Sequence, residues 1–537
     1  MLSWICMNLS AQEVSIRINK KYLNLPVTSK VDRAVMSFTV DGQTERKFDI
    51  RLAVSDPEYW AFCDVSAFKG KTVTIQYPGN QQGLNLIFQD DAIAGQDSLY
   101  HEKNRPQFHF TTRRGWINDP NGLIFYEGEY HLFYQHNPYE DQWGNMHWGH
   151  AVSRDLINWE ELPIALFPDE LGTMFSGSAV IDYDNTAGYN KGNIPAMIAY
   201  YTADNPDRQI QCFAYSLDKG RTFTKYGKNP VIDTKEKWNS KDTRDPKVFW
   251  YKPGKHWVMV LNERDGHSIF TSSDLKDWTY ESHVTGFWEC PELFELPVDG
   301  NSANTKWVMY GASGTYMIGR FDGKKFTPET GKYYFTTGTA YAAQAFNNIP
   351  DSDGRTIQIA WGRINHPNVP LNGMMLLPVE LNLRTTKDGV RLFSYPVREV
   401  TTLYADEAKW TLLTSTNATT NLSQYKDADG LHIRTTIKLS HATSAGLSLN
   451  GQRILDYDMN SNLVNGVFYS PDDMTSMEIT ADIYIDRTSV EVFIDNGAYS
   501  YSMLKRSNPD NNDGFRYWGN NIEVLDLKVH RLKSIWK

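Results

Sequence analysis

Apolar residues along this chain fall in short runs of four to eight, rich in Val, Ile, Tyr, Phe and Trp and bounded by Gly, Asn, Asp and Pro. That pattern predicts β-strands joined by tight turns, because strands need few residues and the bounding types supply turn geometry. Helical periodicity is scarce. A β/α barrel would require repeated amphipathic helices of about 10–15 residues, and none is legible, so the reading is all-β.

Residues 13–95 form a first β-rich block, with strands expected at Val14-Ser-Ile-Arg-Ile18, Ala34–Val40, Lys47–Val54 and Thr72–Tyr77. Residues 105–385 carry an internal repeat. Ser153-Arg-Asp-Leu-Ile-Asn-Trp159 returns as Ser216-Leu-Asp-Lys-Gly-Arg-Thr-Phe223 and Ser272-Ser-Asp-Leu-Lys-Asp-Trp278, and more weakly as Gly319-Arg-Phe-Asp-Gly-Lys-Lys-Phe326. In each copy a strand meets a polar turn and an aromatic residue opens the next strand. Around each turn the chain parses into four strands; in the first unit these are Leu123–Tyr126, Tyr130–Gln135, Gly149–Ser153 and Trp159–Leu166. A degenerate fifth unit contains Ala340–Phe346 and Thr356–Trp361. Repeated four-stranded units of this size predict a five-bladed β-propeller. Residues 402–537 return to alternating strands, expected as a terminal β-sandwich; in Ser489–Gly497, Val490, Val492 and Ile494 would face one way and Glu491 and Phe493 the other.

Composition narrows the partners. The 537 residues carry a formal charge of −10, from 54 Lys+Arg against 64 Asp+Glu. Phosphate backbones are bound by clustered basic residues, so nucleic acid is excluded as a partner. No stretch approaches the ~18 apolar residues of a membrane span. Four cysteines, Cys6, Cys63, Cys212 and Cys290, fit no zinc, redox or dense disulfide spacing and read as free thiols. The apolar start, residues 1–12, is either a signal remnant or a frayed end. Eleven of 16 tryptophans fall in 105–385. Trp159 and Trp278 lie on blade turns and read as packing, whereas Trp116, Trp143 and Trp288 flank acidic motifs and are placed to meet a ligand.

Three acids mark the chemistry. Asp119 stands before the first strand of the first unit, Asp245 before that of the third, and Glu289 at the opening of that of the fourth. First strands line a propeller's channel, so these acids should converge on its axis. Pro120 and Pro246 mark where strand pairing begins and bias Asp119 and Asp245 towards extended backbone. Clustered carboxyls without a His or Cys ligand set point to glycoside cleavage by a nucleophile and a general acid, with a calcium ion held at the axis as the alternative use of the same oxygens.

The ordered motifs Trp116-Ile-Asn-Asp-Pro-Asn-Gly122, Phe133-Tyr-Gln-His-Asn-Pro138, Phe175-Ser-Gly-Ser178, Arg244-Asp-Pro246 and Glu289-Cys-Pro291 resemble glycoside hydrolase family 32, which contains invertases, inulinases, levanases and fructosyltransferases. The resemblance spans about 105–537 and leaves 13–95 outside it. It implies a propeller plus sandwich and a retaining, exo-acting β-fructofuranosidase releasing fructose from levan, inulin or sucrose, outside the cytoplasm and without cofactor. By motif, Asp119 would be the nucleophile, Glu289 the acid/base, and Asp245 with Arg244 the holder of sugar hydroxyls. Asn118, Gln135, Trp143, Phe175 and Ser176 would shape the pocket, with Trp361 at its rim. Cys290 reads as a small buried neighbour, and His136 as a packing or hydrogen-bonding group. Glu292, three residues beyond Glu289, would point to the opposite face of the strand. A fructosyltransferase sharing the same intermediate and a silent fructan-binding protein are the alternatives.

Overall fold

The computed structural model describes residues 12–235, 240–439, 444–469, 477–506 and 513–536. Residues 1–11, including Cys6 and nearly all of the segment read as a signal remnant, lie outside the described residues; Gln12 already belongs to the first strand.

The N-terminal block is a two-layer β structure. Four strands form one antiparallel sheet, in the order Gln12–Arg17, Thr72–Tyr77, Ala34–Val40, Gln43–Ile50; the last starts and ends four residues before the Lys47–Val54 expected from sequence. A second sheet, Tyr59–Asp64, Tyr22–Val27 and Phe88–Asp90, was not legible. Its central strand is buried at every position from Leu23 to Val27, so it shows no period of two. Leu23, Leu25, Phe38, Val73 and Ile75 close the core between the sheets, each such side chain contributing about 1.5–3 kcal/mol on burial.

The repeat region folds as units built on four antiparallel strands, the first extended by Leu371–Asn372 in parallel with Gly115–Trp116 and the second holding five strands. In the first the order is Trp159–Leu166, His147–Ser153, Glu129–Asn137, Gly115–Tyr126. In the third it is Thr243–Tyr251, His256–Glu263, Gly266–Ser272, Thr279–Thr285. Strands of the expected fourth and fifth units share one nine-stranded sheet, joined where Val298 pairs in parallel with Leu383. The repeated phrase is one turn built three times. Ser153, Ser216 and Ser272 donate to Asp155, Asp218 and Asp274, and the next residues, Leu156, Lys219 and Leu275, all take left-handed backbone, at φ 65°, 59° and 64°. Side chains tie the innermost strands together: Asn347 Nδ2 donates both to Ala179 O (2.8 Å) and to Val248 O (2.9 Å).

The C-terminal region is a sandwich of a seven-stranded and a five-stranded sheet. Thr336–Gly338 leaves the propeller to pair with Tyr499–Leu504 of the larger one. The alternation expected in Ser489–Ile494 holds, but neither face meets water. Val490, Val492 and Ile494 enter the sandwich core, while Phe493 packs into the propeller's core. Glu491 is buried against His109. A helix, Ser415–Leu422, was not anticipated; Thr414 caps it by accepting from Asn417 N–H. Among the described residues no helix is long and apolar enough to cross a membrane.

Candidate active site

Each of the three acids sits on irregular backbone. Asp119 lies inside the strand Gly115–Tyr126, not before it, at a register shift between Ile117 and Pro120. A bulge re-aims a side chain that regular pleating would place elsewhere. Gly122 follows at φ 53°, where a Cβ would meet the Phe133 ring at 2.7 Å, so only glycine lets this strand approach its neighbour. Asp245 likewise lies within a bulged strand, Thr243–Tyr251. Its φ is 64°, contrary to the extended geometry expected before Pro246. The bulge is held by Asp245 N–H donating to Thr202 Oγ1 (3.1 Å) and by Cys290 N–H donating to Asp245 Oδ2 (2.9 Å). Glu289 precedes the strand Glu292–Val298, and Glu289 and Cys290 are left-handed at φ 51° and 41°. Such conformations cost of order 1–3 kcal/mol each and persist only where surrounding bonds enforce them. For Glu289 that bond is its own N–H to Asn262 Oδ1 (2.8 Å).

The acids are wired to one another. Ser176 Oγ donates to Asp119 Oδ2 (2.7 Å) and Asn118 Nδ2 to Asp119 Oδ1 (3.2 Å), while Trp116 Nε1 holds Asn118 Oδ1 (2.7 Å). Arg244 Nη2 donates to Glu289 Oε1 (2.8 Å), its Nε lies 3.9 Å from Asp245 Oδ2, and it is also paired with Asp242. The Arg244 guanidinium stands 5.1 Å from the centroid of the Trp288 ring. Cys290 Sγ bridges the two aspartates, 3.5 Å from Asp119 Oδ2 and 3.6 Å from Asp245 Oδ2.

Crowding sets the protonation states. Burial, reinforced by the Glu289 charge, raises the Asp119 carboxyl above the ordinary aspartate range against the pull of its Ser176 and Asn118 bonds. Burial pushes Asp245 up to about 7; Arg244 opposes this and Asp119 adds to it. The Cys290 thiol goes well above its usual range, through burial and then through the charges of Asp119, Asp245 and Glu289. The raised thiol favours the S–H form, a donor to the two carboxylates.

The ten residues expected at the site divide into a bonded centre and residues around it. Asn118, Asp119, Ser176, Arg244, Asp245 and Glu289 form the bonded centre just described. Trp361 joins through edge contacts with Trp116 (5.7 Å) and Tyr341 (6.4 Å). Trp143, 54% exposed, stands edge-on to Phe175, the neighbour of Ser176, at 6.1 Å. Gln135 plays a backing part: it is buried and donates to Met174 O (2.9 Å), steadying the strand that carries Phe175. His136 is buried with Nδ1 at 2.8 Å from Trp116 O, and burial lowers its basicity, leaving it neutral behind the pocket. Among the described residues no group of three or more His, Cys, Asp or Glu side chains is placed to hold a metal ion.

Glu292 requires a correction. Strand alternation does not separate it from Glu289, because the left-handed pair at 289 and 290 interrupts the pleat. Glu292 is 1% exposed and pairs with the buried Lys247 Nζ at 3.0 Å. Tyr341 is the functional residue the motifs did not reveal: its hydroxyl donates to Glu289 Oε2. A positional signal existed, since Tyr341 is the second residue of Ala340–Ala345, within the segment Ala340–Phe346 read from sequence as part of the fifth unit.

The profile described as glycosyl hydrolases family 32 N-terminal domain matches residues 109–396, the segment that supplies every acid of this site. The chain belongs to glycosyl hydrolase family 32. Within the family it is 39% identical over 505 residues to a levanase of Bacillus subtilis, covering 84% of this chain and 74% of that protein. It is 33% identical over 519 residues to the extracellular exo-inulinase of Aspergillus niger, covering 81% and 96%. The crystal structure of an exo-inulinase from Aspergillus awamori superposes with a TM-score of 0.70 at 27% identity, covering 81% of this chain and all of that one. Residues 13–95 lie outside the family's matched segment.

Proposed function

We propose that this family 32 chain is a retaining, exo-acting β-fructofuranosidase that releases terminal fructose from fructans, levan or inulin, and from sucrose. The observation that supports it is the pairing of two carboxyls held in opposite ways around one pocket. Asp119 is fixed by neutral donors, Ser176 and Asn118. Glu289 is gripped by Arg244 and Tyr341. In this reading Asp119 attacks the anomeric carbon while Glu289 protonates the departing glycosidic oxygen, giving a fructosyl ester. Glu289 then takes a proton from water as the ester is hydrolysed. Asp245 and Arg244 bind ring hydroxyls, and Trp143, Phe175 and Trp361 pack against the sugar's apolar edges.

Asp119→Asn and Glu289→Gln should each lower kcat by about 10³-fold or more with the melting temperature little changed. Near-normal turnover by either variant on levan, inulin and sucrose would refute the roles. Fructose as the sole first product supports exo action, whereas released oligosaccharides would overturn it. Persistent oligosaccharide synthesis at high sucrose would assign transfer instead of hydrolysis. Action outside the cytoplasm is part of the same proposal, supported by the extracellular exo-inulinase among the relatives.

A further inference from the structure

The loop 138–146, which carries Trp143, joins the strands Glu129–Asn137 and His147–Ser153 of the propeller, yet most of its anchors lie in the N-terminal β block. Tyr139 is 2% exposed, belongs to that block's core and stacks on Phe48 with ring centroids 3.6 Å apart. Glu140 is wholly buried. Its Oε1 accepts from Arg51 N–H (2.8 Å) and Arg51 Nε (3.0 Å), and its Oε2 from Arg51 Nη2 (3.1 Å) and Arg33 Nε (2.8 Å). On the far side of Trp143, Asn145 exchanges two bonds of 2.8 Å with the Asp49 backbone. Trp143 itself is 54% exposed, and among the described residues its aromatic neighbour is Phe175.

We infer that the N-terminal β block is a positioning element of the catalytic centre: by clamping Glu140 between Arg33 and Arg51 it fixes the loop that holds Trp143 against the fructan. The physical reason lies in the burial. A fully buried carboxylate keeps its place only while its charge is paired, so the two arginines leave the loop one position. With both sides of Trp143 pinned, the indole is held before substrate arrives, which removes an ordering cost from binding. The block thus adds, from outside the propeller, to the restraint the propeller itself supplies through Asn137, whose side chain bonds Gln142 O (2.8 Å), Tyr139 N–H (3.2 Å) and Asn145 Nδ2 (3.2 Å), and through Met174 N–H, which donates to Met146 O (2.9 Å). The inference rests on the reading that Trp143 meets the sugar.

The test compares the full chain with Arg33→Ala/Arg51→Ala, Glu140→Gln and Trp143→Phe, and with each clamp variant also carrying Trp143→Phe. KM and kcat are measured on levan, inulin and sucrose. Acrylamide quenching of Trp143 is read as the difference between each protein and its Trp143→Phe counterpart. Freeing the clamp should raise KM for fructan about tenfold with kcat changed less than about twofold, and should raise Trp143 quenching. Lysine at both arginine positions should restore part of both. Unchanged quenching in both clamp variants overturns the inference. Raised quenching with KM unchanged in the clamp variants, while Trp143→Phe raises KM, also overturns it. If Trp143→Phe itself leaves KM unchanged, the sugar contact fails, and the block's claim on catalysis falls with it. Glu140→Gln carries the same readouts if the double variant does not fold.

Discussion

His109 sits at the seam between propeller and sandwich with Nδ1 at 2.8 Å from Asp486 Oδ2 and Nε2 at 2.6 Å from Glu491 Oε1. A neutral imidazole has one donor and one acceptor, so a ring facing two carboxylates is satisfied only when both nitrogens are protonated. Burial alone would lower its basicity, but the bonds to Asp486 and Glu491 prevail and push it up to about 9. Because the folded value lies above the ordinary 6.5, the imidazolium's stabilisation is complete below about 6.5 and lost as pH rises through about 9. That interval corresponds to roughly 3 kcal/mol, an order-of-magnitude figure for a wholly buried group. The perturbation is His109→Gln, whose two N–H donors share one nitrogen, so that its carbonyl oxygen is set against the second carboxylate. Thermal unfolding followed by calorimetry should place the variant roughly 2–5 °C below the parent at pH 6. The gap should narrow as pH rises from about 7 to 9.5, because only the parent loses the imidazolium. A gap that stays constant over that range would refute the assignment of a charged His109.

Other outcomes follow from the bonds at the site. Tyr341→Phe removes the hydroxyl that donates to Glu289 and should lower kcat/KM by about 10- to 100-fold, measured on sucrose, without a change in fold by circular dichroism. Cys290→Ser retains a donor between Asp119 and Asp245 and should keep most activity, whereas Cys290→Ala should lose about fivefold or more; equal losses would show that Cys290 serves only to fill space. Lys247→Met leaves Glu292 buried and unpaired beneath the site and should cost about 3–5 kcal/mol in urea unfolding, most of it recovered by adding Glu292→Leu.

Much of this molecule was legible without coordinates because its information is local. The Ser-x-Asp phrase is a turn whose bonds close within a few residues, so its threefold recurrence revealed repeated units directly. The motifs around Asp119, Asp245 and Glu289 named residues that share one pocket, since a propeller brings equivalent positions of separate units to one axis. What the linear chain could not disclose depended on burial from two sides or on backbone that breaks the local rule. The strand Tyr22–Val27 has no alternation because both its faces are covered. Asp245 turns left-handed before a proline because Thr202 and Cys290, distant in sequence, hold it there. Glu289 and Glu292 are parted by two left-handed residues rather than by the pleat. Sequence alone determined the repeat, the acids and the family; tertiary structure decided which partners hold each acid, and that Trp143's loop is gripped by a block outside the propeller. The reason is range: turns and motifs are written within a few residues, whereas the bonds from Tyr341 to Glu289 and from Arg33 and Arg51 to Glu140 join segments that only folding brings together.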